Sequence, residues 1–410
     1  MTTATAEITR KSFLDVWLIT IGHAFTHWYP GTFSLLIPLI GNELGLSYAQ
    51  IGSILTVQFA AGAISNVPGG LVVDSVGRKG LLMAISLGWV GIPYLLMGFA
   101  DAYWVMLACA ALVGIGNNLW HPTAIPLLGS RFPTRRGLVM SIHSMGGNVG
   151  DALAPLAAGA LLTLLSWRQV MEVNVIPGLL MAVFLLVHFG RPQPGDELTP
   201  AKRATPRASA LEVFGTLLRN RTVTMLSIGS AFRTMTQMSL LTFLPVYLAH
   251  ELDYPPFWIG LCLFALQAAG FAAAPIAGYL SDRMGRRQII MSSMAMTAVV
   301  LLFMALAGRS PLFVFFVAVL GFFLFAIRAV LQAWLLDATP PEMGGTSIGF
   351  LFGMQAIGAA IGPLVSGLIA DRYGLIATFY FLAFTIIIAN VFTFFTPMPV
   401  RREATEPATP

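Results

Sequence analysis

Twelve apolar runs, each long enough to cross a bilayer as a helix, occupy most of this 410-residue chain. About 20 residues suffice for one crossing. Polar residues or Gly/Pro punctuation separate the runs, which lie near residues 13–40, 49–72, 80–100, 103–128, 137–165, 169–189, 223–250, 256–280, 288–308, 311–336, 345–370 and 375–397. Backbone groups inside lipid must be satisfied by the segment itself, which permits only helices or closed barrels. Barrel strands alternate apolar and polar residues, whereas these runs are continuously apolar. The expected fold class is therefore an all-α membrane protein with twelve transmembrane helices. Composition excludes the soluble alternative: only 10% of residues are charged, against about 25% in soluble domains. Cys109 and Cys262 both sit inside apolar runs, so neither a disulfide framework nor a cysteine metal motif is in view. The first run is too long and too polar for a signal peptide and is expected to stay as a span.

Basic residues orient the spans. With the N-terminus in the cytoplasm, 18 of the 23 Lys and Arg fall on the inner side. Arg168, Arg309 and Arg372 fall outside, and Arg233 and Arg328 lie within spans. The positive-inside rule then predicts a multi-pass protein of a bacterial inner membrane with both termini cytoplasmic. The net charge of +5 is read as a lipid-facing inner surface rather than a nucleic-acid site. A polar, proline-rich stretch over 191–221 is expected to be a cytoplasmic linker between an N-terminal bundle, 1–190, and a C-terminal bundle, 222–410. Within it, Leu211, Phe214, Leu217 and Leu218 have the spacing of a short interfacial helix.

The chain repeats itself. Gly70-Leu-Val-Val-Asp74-Ser-Val-Gly77-Arg78-Lys79 recurs 208 residues later as Gly278-Tyr-Leu-Ser-Asp282-Arg-Met-Gly285-Arg286-Arg287. Pro155-Leu-Ala-Ala-Gly159 and Pro363-Leu-Val-Ser-Gly367 share the same offset. Six spans therefore map onto six in the same direction, which suggests two bundles rocking about a midplane site. In the repeated loop, Gly70 and Gly278 allow helices to approach, and Gly77 and Gly285 allow a tight turn. Asp74 and Asp282 stand at helix ends, where each can cap the next helix or pair with an arginine of the other bundle. Gly70, Asp74, Gly77, Arg78, Gly278, Asp282, Gly285 and Arg286 are thus candidate gating residues, with a static anchor as the alternative.

This loop, present twice at the right spacing, resembles the hallmark of the major facilitator superfamily. The resemblance implies two six-helix bundles, a cavity lined by spans 1, 4, 7 and 10, and hallmark loops acting in the inner gate. Gly114-Ile-Gly116-Asn117-Asn118-Leu119-Trp120-His121-Pro122, with Arg135-Arg136-Gly137, Gly146-Gly147-Asn148-Val149-Gly150 and Pro155, is similar to the fosmidomycin-resistance branch. That branch implies export of small antibiotics, among them a phosphonate, driven by inward proton flow. His27 replaces the acidic residue expected on span 1 of that branch, and span 4 lacks the arginine of many drug/proton antiporters.

Ionisable groups inside a bilayer are functional candidates by default. His23 and His27 on span 1 share a helix face at i, i+4, as do Asn117 and His121 on span 4, with Asn118 beside them. Arg233 and Gln237 on span 7 match Arg328 and Gln332 on span 10. Guanidinium offers a bidentate fork to carboxylate, phosphate or phosphonate, so these nine are candidate substrate-binding residues. The competing role for either arginine is bonding to backbone carbonyls or to Asp151. Asp151 on span 5, with His143 eight residues earlier, is the candidate proton carrier, a structural ion pair being the alternative. Metal binding by the paired histidines is not expected, since no carboxylate or thiol accompanies them in sequence. Trp120 and Trp334 are expected to line the cavity.

The chain is therefore expected to be a transporter and not an enzyme, without cofactors: no phosphate-binding Gly-rich loop with Lys-Ser/Thr is present. Its partners are a small-molecule substrate, protons and membrane lipids, and it is expected to act as a monomer. The expected activity is export of a small organic anion by proton antiport through alternating access, hence antibiotic efflux. The alternatives are proton-coupled uptake of an organic anion and lipid flipping.

Overall fold

The computed structural model describes residues 3–76, 78–117, 119–132, 134–190, 210–310, 312–339 and 343–397, and these are helical apart from short turns. Fifteen helices follow in order: α1 Thr3–Glu43, α2 Tyr48–Val76, α3 Lys79–Met97, α4 Tyr103–Asn117, α5 Trp120–Arg131, α6 Arg136–Leu161, α7 Trp167–Phe189, α8 Ala210–Arg219, α9 Arg221–His250, α10 Pro256–Met284, α11 Arg286–Ala307, α12 Leu312–Ala326, α13 Arg328–Asp337, α14 Gly344–Tyr373 and α15 Ile376–Phe395. Each of the twelve apolar runs becomes one rod, except that α4 with α5 and α12 with α13 are rods broken in the middle. Among the described residues, eight helical stretches are long and apolar enough to cross a membrane. Helices α1, α2, α6 and α9 fall outside that set; α1 carries His23 and His27, α6 carries His143, Asn148 and Asp151, and α9 carries Arg233 and Gln237.

The two breaks are related by the sequence repeat. Leu119 precedes α5 at φ −84°, ψ −19°, and Ile327 precedes α13 at φ −86°, ψ −5°, again 208 residues apart. Pro122 accounts for the first: it has no N–H and its ring collides with the carbonyl four residues back. No proline explains the second. Carbonyls freed near each break find side-chain donors. Ser86 donates to Gly116 O at 2.9 Å and Thr123 to Leu119 O at 2.6 Å. Ser293 donates to Phe323 O at 2.8 Å and Arg233 Nη2 to Leu324 O at 3.0 Å. Irregular backbone at membrane depth persists only where protein or a cavity surrounds it.

Glycines set how closely the rods cross. Helix α6 lies against α1, and a β-carbon at Gly146 or Gly150 would sit 2.3 Å from Thr20 O or 2.2 Å from Ala24 O. Between the bundles the principal contacts are α2 with α14 and α6 with α10. A β-carbon at Gly52 would lie 2.2 Å from Pro363 O, and one at Gly260 would lie 2.4 Å from Pro155 O. These crossings are again 208 residues apart, so the repeated Pro-x-x-x-Gly segments form the seam between bundles. At that end, Asp371 of α14 caps the start of α2, accepting from Tyr48 N–H at 2.8 Å and Ala49 N–H at 2.9 Å. The same end of the N-terminal bundle is tied by Arg168, which pairs with Glu43 at 2.8 Å and Asp101 at 3.0 Å. Helix α8 is present where the interfacial pattern fell, with Leu217 buried and Leu218 half-exposed.

Candidate functional site

The seam closes one end of the molecule, and the polar side chains gather deeper, beside the two breaks. Helix α1 brings His23 and His27 to one face, as their spacing predicts. Gly147 of α6 passes directly under them: a β-carbon there would lie 2.9 Å from His23 Cε1 and 3.0 Å from His27 Nε2. The small residue is what lets α6 present its own polar groups to α1. His143 stacks on His23 with centroids 4.0 Å apart, and Asp151 meets His27, Oδ2 to Nδ1, at 3.0 Å. His121, on the first turn of α5, stands edge-on to His23 at 5.0 Å. Four of the six histidines in the chain therefore form one cluster from α1, α5 and α6.

Burial sorts this cluster into a wall and a lining. His23 and His143 are buried, His27 and Asp151 are half-buried, and His121 is exposed although it lies mid-rod. An exposed side chain at that depth faces the space between the bundles. His23 Nδ1 donates to the His143 carbonyl at 2.7 Å, since a carbonyl can only accept. Among the described residues, neither ring nitrogen of His143 has a hydrogen-bond partner.

The C-terminal bundle supplies the opposite wall. Arg328 opens α13 and is exposed, and its charge acts on His121 and on Arg233. Arg233 is 2% exposed and spends Nη2 on the Leu324 carbonyl at the break, while its Nε has no partner among the described residues. Gln237 and Gln332 are half-buried, as is Asn117, while Asn118 lies outside the described residues. The i, i+4 Arg–Gln pattern thus occurs twice with unequal results: one guanidinium is buried against backbone and the other faces the cavity. Trp120 and Trp334, expected on the lining, are instead fully buried core residues. A cleft of about 330 Å³ lined by Met140, Ser141, Ser144, Met145, Asn148 and Phe271 opens between α6 and α10.

At the other end of the molecule lie the repeated loops. Gly70 and Asp74 belong to the last turns of α2, and Gly77 falls outside the described residues. Arg78 donates to the Gly190 carbonyl ending α7, and Arg287 donates to the Phe394 carbonyl in the last turn of α15. Each loop thus places a cation at the C-terminal end of its bundle's last rod, where the helix dipole favours it. Asp282 pairs with Arg286 at 2.5 Å and Arg286 with Asp337 at 3.2 Å, all within the C-terminal bundle. Gly278, expected to let helices approach, has nothing among the described residues within 4 Å of where its β-carbon would sit, so no close crossing is made there; Gly285 adopts φ +98°, as a tight turn requires. These contacts stay within one bundle, in contrast with the Asp371 cap, which joins two.

Asp371 was not among the residues singled out by sequence. A signal for it exists: Gly367-Leu-Ile-Ala-Asp371-Arg-Tyr-Gly374 repeats the spacing of Gly278-x-x-x-Asp282-Arg-x-Gly285, and Gly374 also takes positive φ, at +83°.

Known proteins place this architecture. The chain matches the model of the Major Facilitator Superfamily over residues 16–273 and 226–410. It is 27% identical over 397 residues to the fosmidomycin resistance protein of Escherichia coli, covering 95% of this chain and 94% of that one. It is 24% identical over 406 residues to the phosphoglycerate transporter protein of Salmonella typhimurium, covering 92% and 87%. A crystal structure of a bacterial homologue of the human lysosomal transporter Spinster, inward-facing and occupied, superposes with a TM-score of 0.81 at 17% identity, covering 94% of this chain and 96% of that one.

Proposed function

Because the chain belongs to the Major Facilitator Superfamily and is thus a multi-pass secondary transporter rather than an enzyme, we propose that it exports a small organic anion across a bacterial inner membrane in exchange for protons. The observation that carries this reading is the unequal pair of cavity walls. Arg328 offers a guanidinium to the cavity with no carboxylate bonded to it among the described residues, and across from it stands a carboxylate already engaged by a histidine, Asp151 with His27.

The two walls divide the work. Carboxylate, phosphate or phosphonate of the substrate takes the fork of Arg328, with His121, Gln332 and Gln237 as further donors. Arg233 supports this wall by holding the Leu324 carbonyl at the break. Protons use the His27–Asp151 pair. With Asp151 ionised, His27 Nδ1–H donates to it, and the pair sits beside the substrate volume. Protonating Asp151 removes that acceptor charge and frees His27 to turn toward the cavity. Turned so, its ring occupies part of the substrate volume, so proton loading and substrate loading exclude one another, which is the coupling that antiport requires.

Rocking is read from the two ends. The Gly52–Pro363 and Gly260–Pro155 crossings and the Asp371 cap seal the end that the positive-inside reading puts outside. The described bonds of the hallmark loops stay within one bundle, and the gate residues Gly70, Asp74, Gly77, Arg78, Gly278, Asp282, Gly285 and Arg286 are the ones that would meet across the bundles when the inner face closes. The relatives named for phosphoglycerate and fosmidomycin lend support to an anionic substrate.

The test is proton movement in proteoliposomes carrying an imposed pH gradient and a pH-sensitive dye, with 3-phosphoglycerate, a phosphonate and an apolar cation added in turn. Proton flux on adding an anion, lost in Arg328→Ala, is the expected result. Flux with the apolar cation alone, or anion-driven flux unchanged in Arg328→Ala, would overturn the reading.

A further inference from the structure

The N-terminal wall has a second chemistry, which shares only His121 with the proposed anion site. His23, His121 and His143 each present a ring nitrogen, and these nitrogens lie within 4.8 Å of one another. The bond from His23 Nδ1–H to the His143 carbonyl leaves the lone pair on His23 Nε2, and that nitrogen is buried without a partner among the described residues. His143 is 3% exposed and both of its ring nitrogens are unpartnered. Buried polar atoms left unbonded cost about 1–3 kcal/mol each, so this arrangement is expensive unless something completes it. His121 is exposed on the cavity side, which gives a route in.

We propose that His23, His121 and His143 bind a late first-row divalent transition ion of the Zn2+, Co2+ or Ni2+ class. Imidazole donors without thiolate suit these ions. Tetrahedral Zn–N bonds of about 2.0–2.1 Å bring ligand nitrogens to roughly 3.4 Å from one another. His143, stacked on His23 at 4.0 Å with the rings 13° from parallel, must turn so that its in-plane lone pair converges with that of His23 Nε2, and His121, on the first turn after the Leu119 break, then closes the set. His27 stands edge-on to His23 at 4.8 Å with its Nδ1 on Asp151, and so stays outside the proposed set. Arg328 faces the site from the other bundle and its charge acts on His121. The fourth position opens to the cavity, where an anionic group or water completes the sphere and offsets that charge.

Ion binding does not rest on the anion-transport reading, because it is measured without substrate. Purified full-length chain is titrated with Co2+ and followed by visible absorption, whose ligand-field bands intensify on tetrahedral nitrogen coordination. One equivalent is expected to saturate the bands. His121→Ala and His143→Asn are each expected to weaken binding by at least about tenfold, and both variants are checked for monodispersity. His188→Ala and His250→Ala, the two histidines outside the cluster, are expected to bind as the unmodified chain does, and Arg328→Ala, which removes a nearby cation, no less tightly. No saturable Co2+ binding in the unmodified chain, or unchanged binding in monodisperse His121→Ala and His143→Asn, would overturn the site. Either result leaves the role of Arg328 in anion binding untouched.

Discussion

The two halves of the molecule share a scaffold and differ in chemistry. Both have a rod broken at equivalent positions, Leu119 and Ile327, and both cross the partner bundle through a glycine packed on a proline carbonyl. Yet the N-terminal wall carries imidazoles and a carboxylate, while the C-terminal wall carries guanidiniums and amides. Duplication kept what packing demands, because a β-carbon at a crossing glycine collides with backbone. It left free what faces the cavity. In the proposed cycle one wall exchanges protons while the other holds a permanent cation, since arginine stays charged over the whole physiological range.

Several substitutions break or sharpen this contrast. The largest effect is expected from Asp151→Asn, which removes the only carboxylate bonded to the imidazole wall among the described residues. Substrate accumulation driven by a pH gradient should fall by about tenfold or more while exchange of labelled substrate persists, because exchange needs no net proton transfer. Next comes Arg233→Met, which tests whether that arginine is scaffold. It leaves the Leu324 carbonyl unbonded in the interior, so stability in mild detergent should drop by about 1–3 kcal/mol, with substrate affinity unchanged in the folded fraction.

A smaller effect separates the two ends. Asp371→Ala removes the cap that joins α14 to α2. Losing such a cap costs about 1 kcal/mol, enough to shift the population of molecules open at the Tyr48 end about fivefold. Distances between spin labels placed on either side of that contact report it. The smallest effect lies outside the spans. The Trp167 indole N–H and Arg168 hold the Glu43 carboxyl below the usual carboxylate range. A carboxyl lowered on folding stabilises the protein above its unfolded pKa, and the benefit disappears as pH falls through the folded value. Glu43→Gln should therefore lower the melting temperature by about 2 °C at neutral pH, with no difference from the unmodified chain in strong acid.

Much of this was legible in the sequence, and the remainder has identifiable causes. Twelve apolar runs and the 208-residue repeat carried the helix count, the parallel relation of the halves and the glycines at the seam. The i, i+4 pair His23 and His27 placed both rings on one face because that follows from helical geometry alone. Pairing across helices did not follow: sequence set Asp151 beside His143 on its own helix, whereas its bonded partner is His27 on α1. Arg233 and Arg328 looked equivalent because each precedes a glutamine by four residues. They diverge because α13 restarts at Arg328, and the break at Ile327 lacks the proline that announces the one beside Pro122. Trp120 and Trp334 were misplaced on the lining, since depth along a helix does not tell which side faces the core.

The most direct test of the central claim, that protons belong to one wall and the anion to the other, measures two activities in two variants. Gradient-driven accumulation and labelled-substrate exchange are compared in proteoliposomes for Asp151→Asn and Arg328→Ala. The account predicts that Asp151→Asn loses accumulation and keeps exchange, while Arg328→Ala loses both. Loss of exchange in Asp151→Asn, or retained exchange in Arg328→Ala, would contradict the division of labour between the walls.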